Sequence, residues 1–461
     1  MLGIVWFLFW QLFGLLIAAR AFRSLGLFER LLLGSVCGSA AAIWAPVPFS
    51  FLFGFSIASH LCASALGVTA SVFLLRGFAF PSCDELKAEW REQRVFLCLL
   101  IPFMALCVIL LCSHTLQVRN GAIYTGQSGW GDMPMHLGFI TSIAVQGTFP
   151  PEYSILPGER LCYPFFCDSV SSSLYLLGTP LRRAYMIPAF FAFMQVFSGF
   201  YLLARSMLRR LSSALLAFVF FFLNGGLGMI YFTGEYSLNQ LLTGFYKTPT
   251  NLGDKGIRWV NVIADMLLPQ RATLFGWAVL FAALFLLYRA VFKQERKVFL
   301  PAGVLGGLLP MIHTHSYLSL GLVAACWLVW SAKRDRLSKT WFLSWLAFGL
   351  PAVALAVPQL LLWTFHSVGG NAQFLRWHFD WVNEGGENWL WFWLKNVGPL
   401  FLLAPLAFVF ADREQRAAAF PAFLIFLLCE FVAFQPNVYD NNKLLYISYA
   451  LLCILSADLA V

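Results

Sequence analysis

Asp132 and His136 stand four residues apart in GWGDMPMHLGFITSIAVQGTFPPEY, inside the stretch Gln127 to Ser173, where an acid, an imidazole and a Gly/Pro-rich loop interrupt long apolar runs. On a helix beginning at Asp132 this spacing puts both side chains on one face. The carboxylate could then remove a proton from a hydroxyl, with the imidazole as an orienting group, second base or metal ligand. The plainer alternative is that Asp132 caps a helix over 133–145.

Other polar residues stand beside apolar segments in the same way. Arg271 follows Pro269 and Gln270 at the head of one segment, and Lys443 heads the last, after Asp440, Asn441 and Asn442. Fixed cations at a membrane boundary can hold a phosphate, arginine as a fork and lysine as a point charge, or they can snorkel to the interface. His313 and His315 form an HxH pair that could take a divalent metal together with Asp132 or His136, although neutral histidines bonded at a helix junction are the simpler expectation. Asn261, Asp265, Gln270, Asp440 and Asn441 are candidates for substrate contacts. Tyr163, with Trp130 and Tyr153, could stack on a sugar ring. Asp168 and Asp265 could each instead bond nearby backbone or pair with a basic residue.

These groups need a scaffold, and composition identifies it. Of 461 residues, 60% are hydrophobic and 11% charged, with 48 Phe and 17 Trp. Soluble domains carry about 25% charged residues, so the chain reads as a polytopic, all-α membrane protein. The net charge of +9 forms no basic stripe with interleaved aromatics, which argues against a nucleic-acid partner. The 11 cysteines show no CxxC spacing, and no bridge between Cys162 and Cys167 is expected. The N-terminal MLGIVWFLFWQLFGLLIAAR lacks a basic start and a small-x-small cleavage site, so it reads as a retained helix. The chain stops at Asp458-Leu-Ala-Val461 within or at the end of an apolar helix, as a piece of a longer protein would.

Segments long enough to cross a bilayer fall at about 1–19, 31–46, 51–75, 95–113, 185–204, 211–231, 272–290, 341–363, 390–410, 418–434 and 443–460. The segment 299–331 allows two short spans meeting at His313 and His315, for about thirteen in all. The joints 20–30, 76–94, 205–210, 289–297, 332–340 and 411–417 hold 20 of the 31 Lys and Arg residues and are assigned to the cytoplasm. Loops 114–184, 232–271 and 364–389 then face outward. Keeping Arg182 and Arg183 in that scheme requires Tyr163–Gly178 to be a re-entrant or interfacial helix. Residues 1–94 form an N-terminal group of helices with a cytoplasmic linker, and 95–461 the module carrying the outer loops.

The stretches GWGDMPMHLGFITSIAVQGTFPPEY, LCYPFFCDSVSSSLYLLG, WVNVIADMLLPQRATLFG, GLLPMIHTHSYLSLG and YDNNKLL together resemble the GT-C superfamily of integral membrane glycosyltransferases, and uncharacterised bacterial GT-C-like membrane proteins in particular. The resemblance implies a polyprenyl-phosphate-linked sugar as donor, a cell-envelope glycan, lipid or protein as acceptor, and an active site on the outer face of the bacterial cytoplasmic membrane. It makes Asp132 the base toward the acceptor, and it gives the donor phosphate to Arg271, with Lys443, His313 and His315 beside it. Asp132 stands without the second neighbouring acid frequent in better-studied members, and no cofactor beyond a divalent metal is suggested. A transporter or flippase of a lipid-linked or anionic substrate, and an inactive membrane scaffold, are the competing readings.

Overall fold

A computed structural model of the chain describes residues 1–76, 78, 80–126, 129–232, 240, 248–368 and 374–461. Gln127 and Ser128, and parts of the expected outer loops 232–271 and 364–389, lie outside the described residues. Helices dominate because the apolar runs are long, and several of their starts are capped. Ser82 and Glu85 form a reciprocal capping box at the head of α5 (Cys83–His114), and Asp412 and Gln415 form one at the head of α18 (Arg413–Phe431).

The N-terminal quarter comprises α1 (Leu2–Ala21), α2 (Leu27–Trp44), α3 (Pro46–Phe53), α4 (Ile57–Leu75) and α5. Hairpin β1–β2 (Gln117–Arg119, Ala122–Tyr124), α6 (Asp132–Gln146) and hairpin β3–β4 (Glu152–Tyr153, Leu156–Arg160) lead to α7 (Phe166–Leu176), α8 (Leu181–Met207), α9 (Leu211–Phe222) and the single turn α10 (Gly228–Tyr231). A π-helical turn, Val262–Leu267, precedes α11 (Arg271–Phe292), which α12 (Phe299–Gly307), α13 (Thr314–Arg334), α14 (Lys339–Gln359) and α15 (Phe365–Val368) follow. The C-terminal part holds β5 (Arg376–Trp377), α16 (Trp389–Val397), α17 (Leu400–Phe410), α18, β6 (Val432–Ala433) and α19 (Asn442–Ala460), with β5 and β6 paired antiparallel.

Helix α11 is the central post: every residue in it except Arg289 is buried, and α2, α7, α8, α12 and α13 pack around it. Against α12, close approach of α14 depends on glycine. A Cβ on Gly303 would stand 2.1 Å from the Phe348 carbonyl oxygen, and one on Gly307 2.6 Å from that of Pro351. This is the small-residue packing expected from Gly303-Val-Leu-Gly306-Gly307.

Among the described residues nine helical segments are long and apolar enough to span a membrane, or ten if the bent pair α16–α17 counts as one. Four expected spans differ for physical reasons. Helix α9 has 12 residues and α12 has 9, rising only about 18 and 14 Å against a hydrocarbon core of about 30 Å. Helices α16 and α17 meet at 95° around Gly398-Pro399, and α18 begins with Arg413, Glu414 and Arg416. Residues 84–94 of the expected cytoplasmic linker form the first turns of α5.

The basic joints gather at one end of the bundle. Arg289 binds Glu29 and Glu295 at 2.5 and 2.6 Å, Arg30 faces Glu85, Arg209 faces Asp412, and Arg334 donates to the Val291 carbonyl at 2.7 Å. At the opposite end the amino group of Met1 donates to Gly178 O at 2.8 Å, and Arg182 donates to Cys112 O and Thr115 O at the close of α5. Helix α7, 11 residues long, is tied there at both ends, since Phe166 N donates to Met311 O at 3.0 Å. At 11 residues it is too short to span a membrane, and Arg182 and Arg183 follow it at the end away from the basic joints.

Candidate functional site

The first turn of α7 carries the most deeply placed charge. Asp168 has no exposed surface, its Oδ2 accepts from His136 Nδ1 at 2.9 Å, and its Oδ1 lies 3.1 Å from Arg271 Nε. Because Asp168 sits in a helical first turn, the positive end of the helix dipole adds to these two partners. His136, one turn into α6, is itself buried, and its Nε2 meets no hydrogen-bond partner among the described residues. A carboxylate on Nδ1 fixes the tautomer with the proton there and leaves Nε2 as an acceptor.

Arg271, the first residue of α11, is 1% exposed. Its Nε donates to Cys167 O at 3.0 Å, one terminal nitrogen to Tyr185 O at 3.1 Å, and the other to Ser171 Oγ. The guanidinium lies over the Tyr185 and Phe275 rings at 4.6 and 4.7 Å. Every arm of the fork is therefore engaged inside the protein. The expected phosphate clamp is enclosed by α7 and α8, and its partner is Asp168.

Asp132 is half-buried at the start of α6. It is the first residue of the helix, not its cap, and no side-chain cap bond forms there. Burial pushes its carboxyl up from the ordinary range, while the nearby charges of His136 and Lys443 pull it down and Asp440 pushes it up. Two chain segments, α6 and the 440–443 turn, thus act electrostatically on Asp132. Lys443 pairs with Asp440 at 3.1 Å across one turn, and its charge is also felt at His313 and His315. Tyr163 packs edge-on to His136 at 6.0 Å, and Asp168, Asp132 and Asp440 all act on its phenol, which burial holds well above its usual range.

The HxH pair occupies the break between α12 and α13. His313 Nδ1 bonds Ser316 Oγ at 2.8 Å, and its Nε2 lies 3.5 Å from Thr273 Oγ1, which donates to Gln270 Oε1 at 3.2 Å. His315 Nε2 meets the side-chain amide nitrogen of Gln435 at 2.9 Å. The rings lie 5.4 Å apart, each with its own polar partner. The junction fits against α11 because residue 276 is glycine: a Cβ there would stand 2.3 Å from His313 Cβ. Among the described residues the acid-and-imidazole group within metal-ligand reach is His136, Cys167 and Asp168, with ligand atoms inside 4.8 Å. Asp168 and His136 are hydrogen-bonded to each other and Arg271 Nε lies beside the remaining carboxylate oxygen, while His136 Nε2 and Asp168 Oδ1 meet no hydrogen-bond partner among the described residues.

Two expected contact residues are employed structurally. Asn261 caps the π-helical turn, accepting from Ile263 N and Ala264 N at 3.0 Å, and Asn441 binds Cys429 O, Val432 O and Phe434 N, joining α18 to α19. Asp265 forms a second group with Thr248, Tyr439 and Tyr446, and burial pushes its carboxyl up to about 6. This group adjoins the first through Tyr439, on which Asp265 and Asp440 both act.

Several positioning residues carried only a faint sequence signal, a lone amide within an apolar run. Gln359 donates to Gly307 O at 2.7 Å and accepts from Met311 N at 3.0 Å, splinting the α12–α13 break. Asn224 holds Val260 O and Val262 N at 2.8 Å, and Asn396 accepts from Arg258 N and Trp259 N at 2.7 and 3.0 Å. Each of the eleven cysteines is free.

No family model, no curated protein and no solved structure matches the chain.

Proposed function

We propose that the chain is a membrane glycosyltransferase that moves a sugar from a polyprenyl-phosphate donor to an acceptor outside the cytoplasm, with Asp132 as general base. The observation that carries this reading is the half-buried Asp132 at the head of α6, one turn from His136 and under the charges of the Asp440–Lys443 pair of a distant turn. Asp132 takes the proton of an acceptor hydroxyl as that oxygen bonds to the anomeric carbon. The bond from this carbon to the phosphate oxygen breaks, and its electron pair leaves with the phosphate. Lys443 balances the charge gained there, the role first expected of Arg271. Asp168, anchored by Arg271, fixes His136 beside the base. A groove of about 350 Å³ between α16–α17, α18 and α19, with Trp389, Trp393, Phe401, Phe426, Leu445 and Leu452 in its walls, offers an apolar path for a prenyl chain next to the helix that Lys443 heads.

The test is transfer or slow hydrolysis of radiolabelled sugar from a panel of polyprenyl-phosphate sugars. The expected result is turnover that collapses in Asp132→Asn while donor binding survives, and donor binding that weakens in Lys443→Met. Turnover untouched by Asp132→Asn would remove the base from this position. The short helices α7, α9 and α12 and the bent α16–α17 pair also suit a transporter, whose substrate sites form at broken helices. Uptake or lipid scrambling by reconstituted protein, without sugar transfer, would establish that reading instead.

A further inference from the structure

The carboxylate of Asp168 is buried with one oxygen to spare. Arg271 spends Nε on Cys167 O and its terminal nitrogens on Tyr185 O and Ser171 Oγ. Asp168 Oδ1 stands 3.1 Å from Nε yet accepts no hydrogen bond among the described residues, while Oδ2 takes the one from His136 Nδ1. On the other side of that bond, His136 Nε2 is equally without a partner. Asp168 has no exposed surface and His136 1%, so bulk water reaches neither. Buried polar atoms left in this way mark a place where an ion or an enclosed water belongs.

Cys167 completes the group. Its thiol is buried in the first turn of α7 beside Asp168, 3.4 Å from Pro164 O, and His136 reaches it from α6. One ligand atom from each of the three residues lies within 4.8 Å of the others. Around a tetrahedral ion with bonds of about 2.0–2.3 Å, donor atoms stand roughly 3.3–3.7 Å apart, so small side-chain rotations close the set. The Pro164 carbonyl or an enclosed water can take the fourth position. Donor type then selects the ion. A thiolate with an imidazole suits zinc, whereas magnesium and calcium call for oxygen ligands. Charge allows it as well, because thiolate and carboxylate together offset a divalent ion. Arg271 keeps three acceptors and two aromatic faces of its own, and beside the free carboxylate oxygen it orients Asp168 as outer partners of metal ligands do.

We infer that His136, Cys167 and Asp168 bind a zinc ion that fastens the short helix α7 to α6. The enclosure gives the ion a structural part, since catalytic zinc keeps a position open to substrate. It replaces one hydrogen bond between the helices by two bonds to a shared centre, and the thiol releases its proton to solvent as the ion binds. The site is separate from the HxH pair, whose rings have polar partners of their own. The inference stands whether the chain transfers a sugar or moves a substrate across the membrane.

The experiment uses the full chain in lipid nanodiscs, purified without a histidine tag, with zinc measured by plasma mass spectrometry. Wild type should carry about one zinc per chain, and Cys167→Ala about tenfold less while remaining folded by tryptophan fluorescence. Cys162→Ser, altered in the preceding loop, should match wild type. Cobalt exchanged for zinc gives a second reading. Wild type should show the near-ultraviolet charge-transfer band of a thiolate ligand together with the visible bands of tetrahedral cobalt, and Cys167→Ser should lose the first. Wild type that takes up neither zinc nor cobalt overturns the inference, and so does zinc retained by Cys167→Ala or a cobalt complex without the thiolate band. If Cys167→Ala does not fold, the cobalt spectra of wild type and Cys162→Ser decide the matter by the same band.

Discussion

Replacing Arg271 with methionine should destabilise the protein by about 3–5 kcal/mol, the usual cost of leaving a buried charge without its partner. The substitution keeps apolar bulk between the Tyr185 and Phe275 rings but strips Asp168 Oδ1 of its cation and leaves Cys167 O, Tyr185 O and Ser171 Oγ without a donor. Removing the charge at the other end of the pair should reverse part of the loss, so Arg271→Met with Asp168→Asn should be more stable than Arg271→Met alone. Arg271→Lys should recover little, because a point charge cannot serve three acceptors in different directions. Lys443→Met supplies the contrast: its partner Asp440 keeps access to solvent, and the expected loss is about 1 kcal/mol or less. Thermal unfolding followed by tryptophan fluorescence in nanodiscs measures all four. If Arg271→Met unfolds like wild type yet loses donor binding, the guanidinium faces substrate and the assignment of Arg271 to Asp168 is wrong.

Three further outcomes follow from the same geometry. Asp132 must be ionised to act as a base and its carboxyl is held up by burial, so kcat/KM should fall toward acid at a higher pH than an ordinary aspartate would give; Lys443→Met, which removes a charge that pulls it down, should move that limb higher still. Asp265, pushed up to about 6 from 3.8, keeps its proton in the folded chain where the unfolded chain has lost it; its contribution to stability should therefore fall as pH rises from about 4 to about 6 and stay level above, and Asp265→Asn should flatten that part of a Tm-against-pH curve. Gly276→Ala drives a methyl group into His313 and should cost about 1–3 kcal/mol by the same unfolding assay, with turnover reduced through the displaced histidine junction.

The scaffold was largely legible because the hydrocarbon thickness imposes a length on apolar segments. Where prediction and structure part, as at α9, α12 and α16–α17, the apolar run is long enough but a glycine or proline ends the helix early, and hydropathy does not register a bend. Asp132 with His136, the HxH junction and the DNNK turn were visible as polar residues beside apolar runs. Arg271 was visible too, but a charged residue at a helix head reads the same whether it faces a ligand or another side chain. Its acceptors are two carbonyls and a serine, from Cys167, Tyr185 and Ser171, about a hundred residues away, and carbonyls leave no trace in a sequence.

The Asp168–Arg271 pair bears on how the protein is made. Asp168 emerges from the ribosome about a hundred residues before Arg271, an interval of about 5–20 s at ordinary synthesis rates. Until α11 arrives, the carboxylate has only His136 to share its charge, and sinking α7 to its final depth would bury an anion lacking its cation. Burying α7 before Arg271 follows therefore costs either an unpaired anion or a proton taken up by Asp168. A nascent chain halted between the two residues is expected to leave Cys167, buried in the finished protein, more open to thiol reagents.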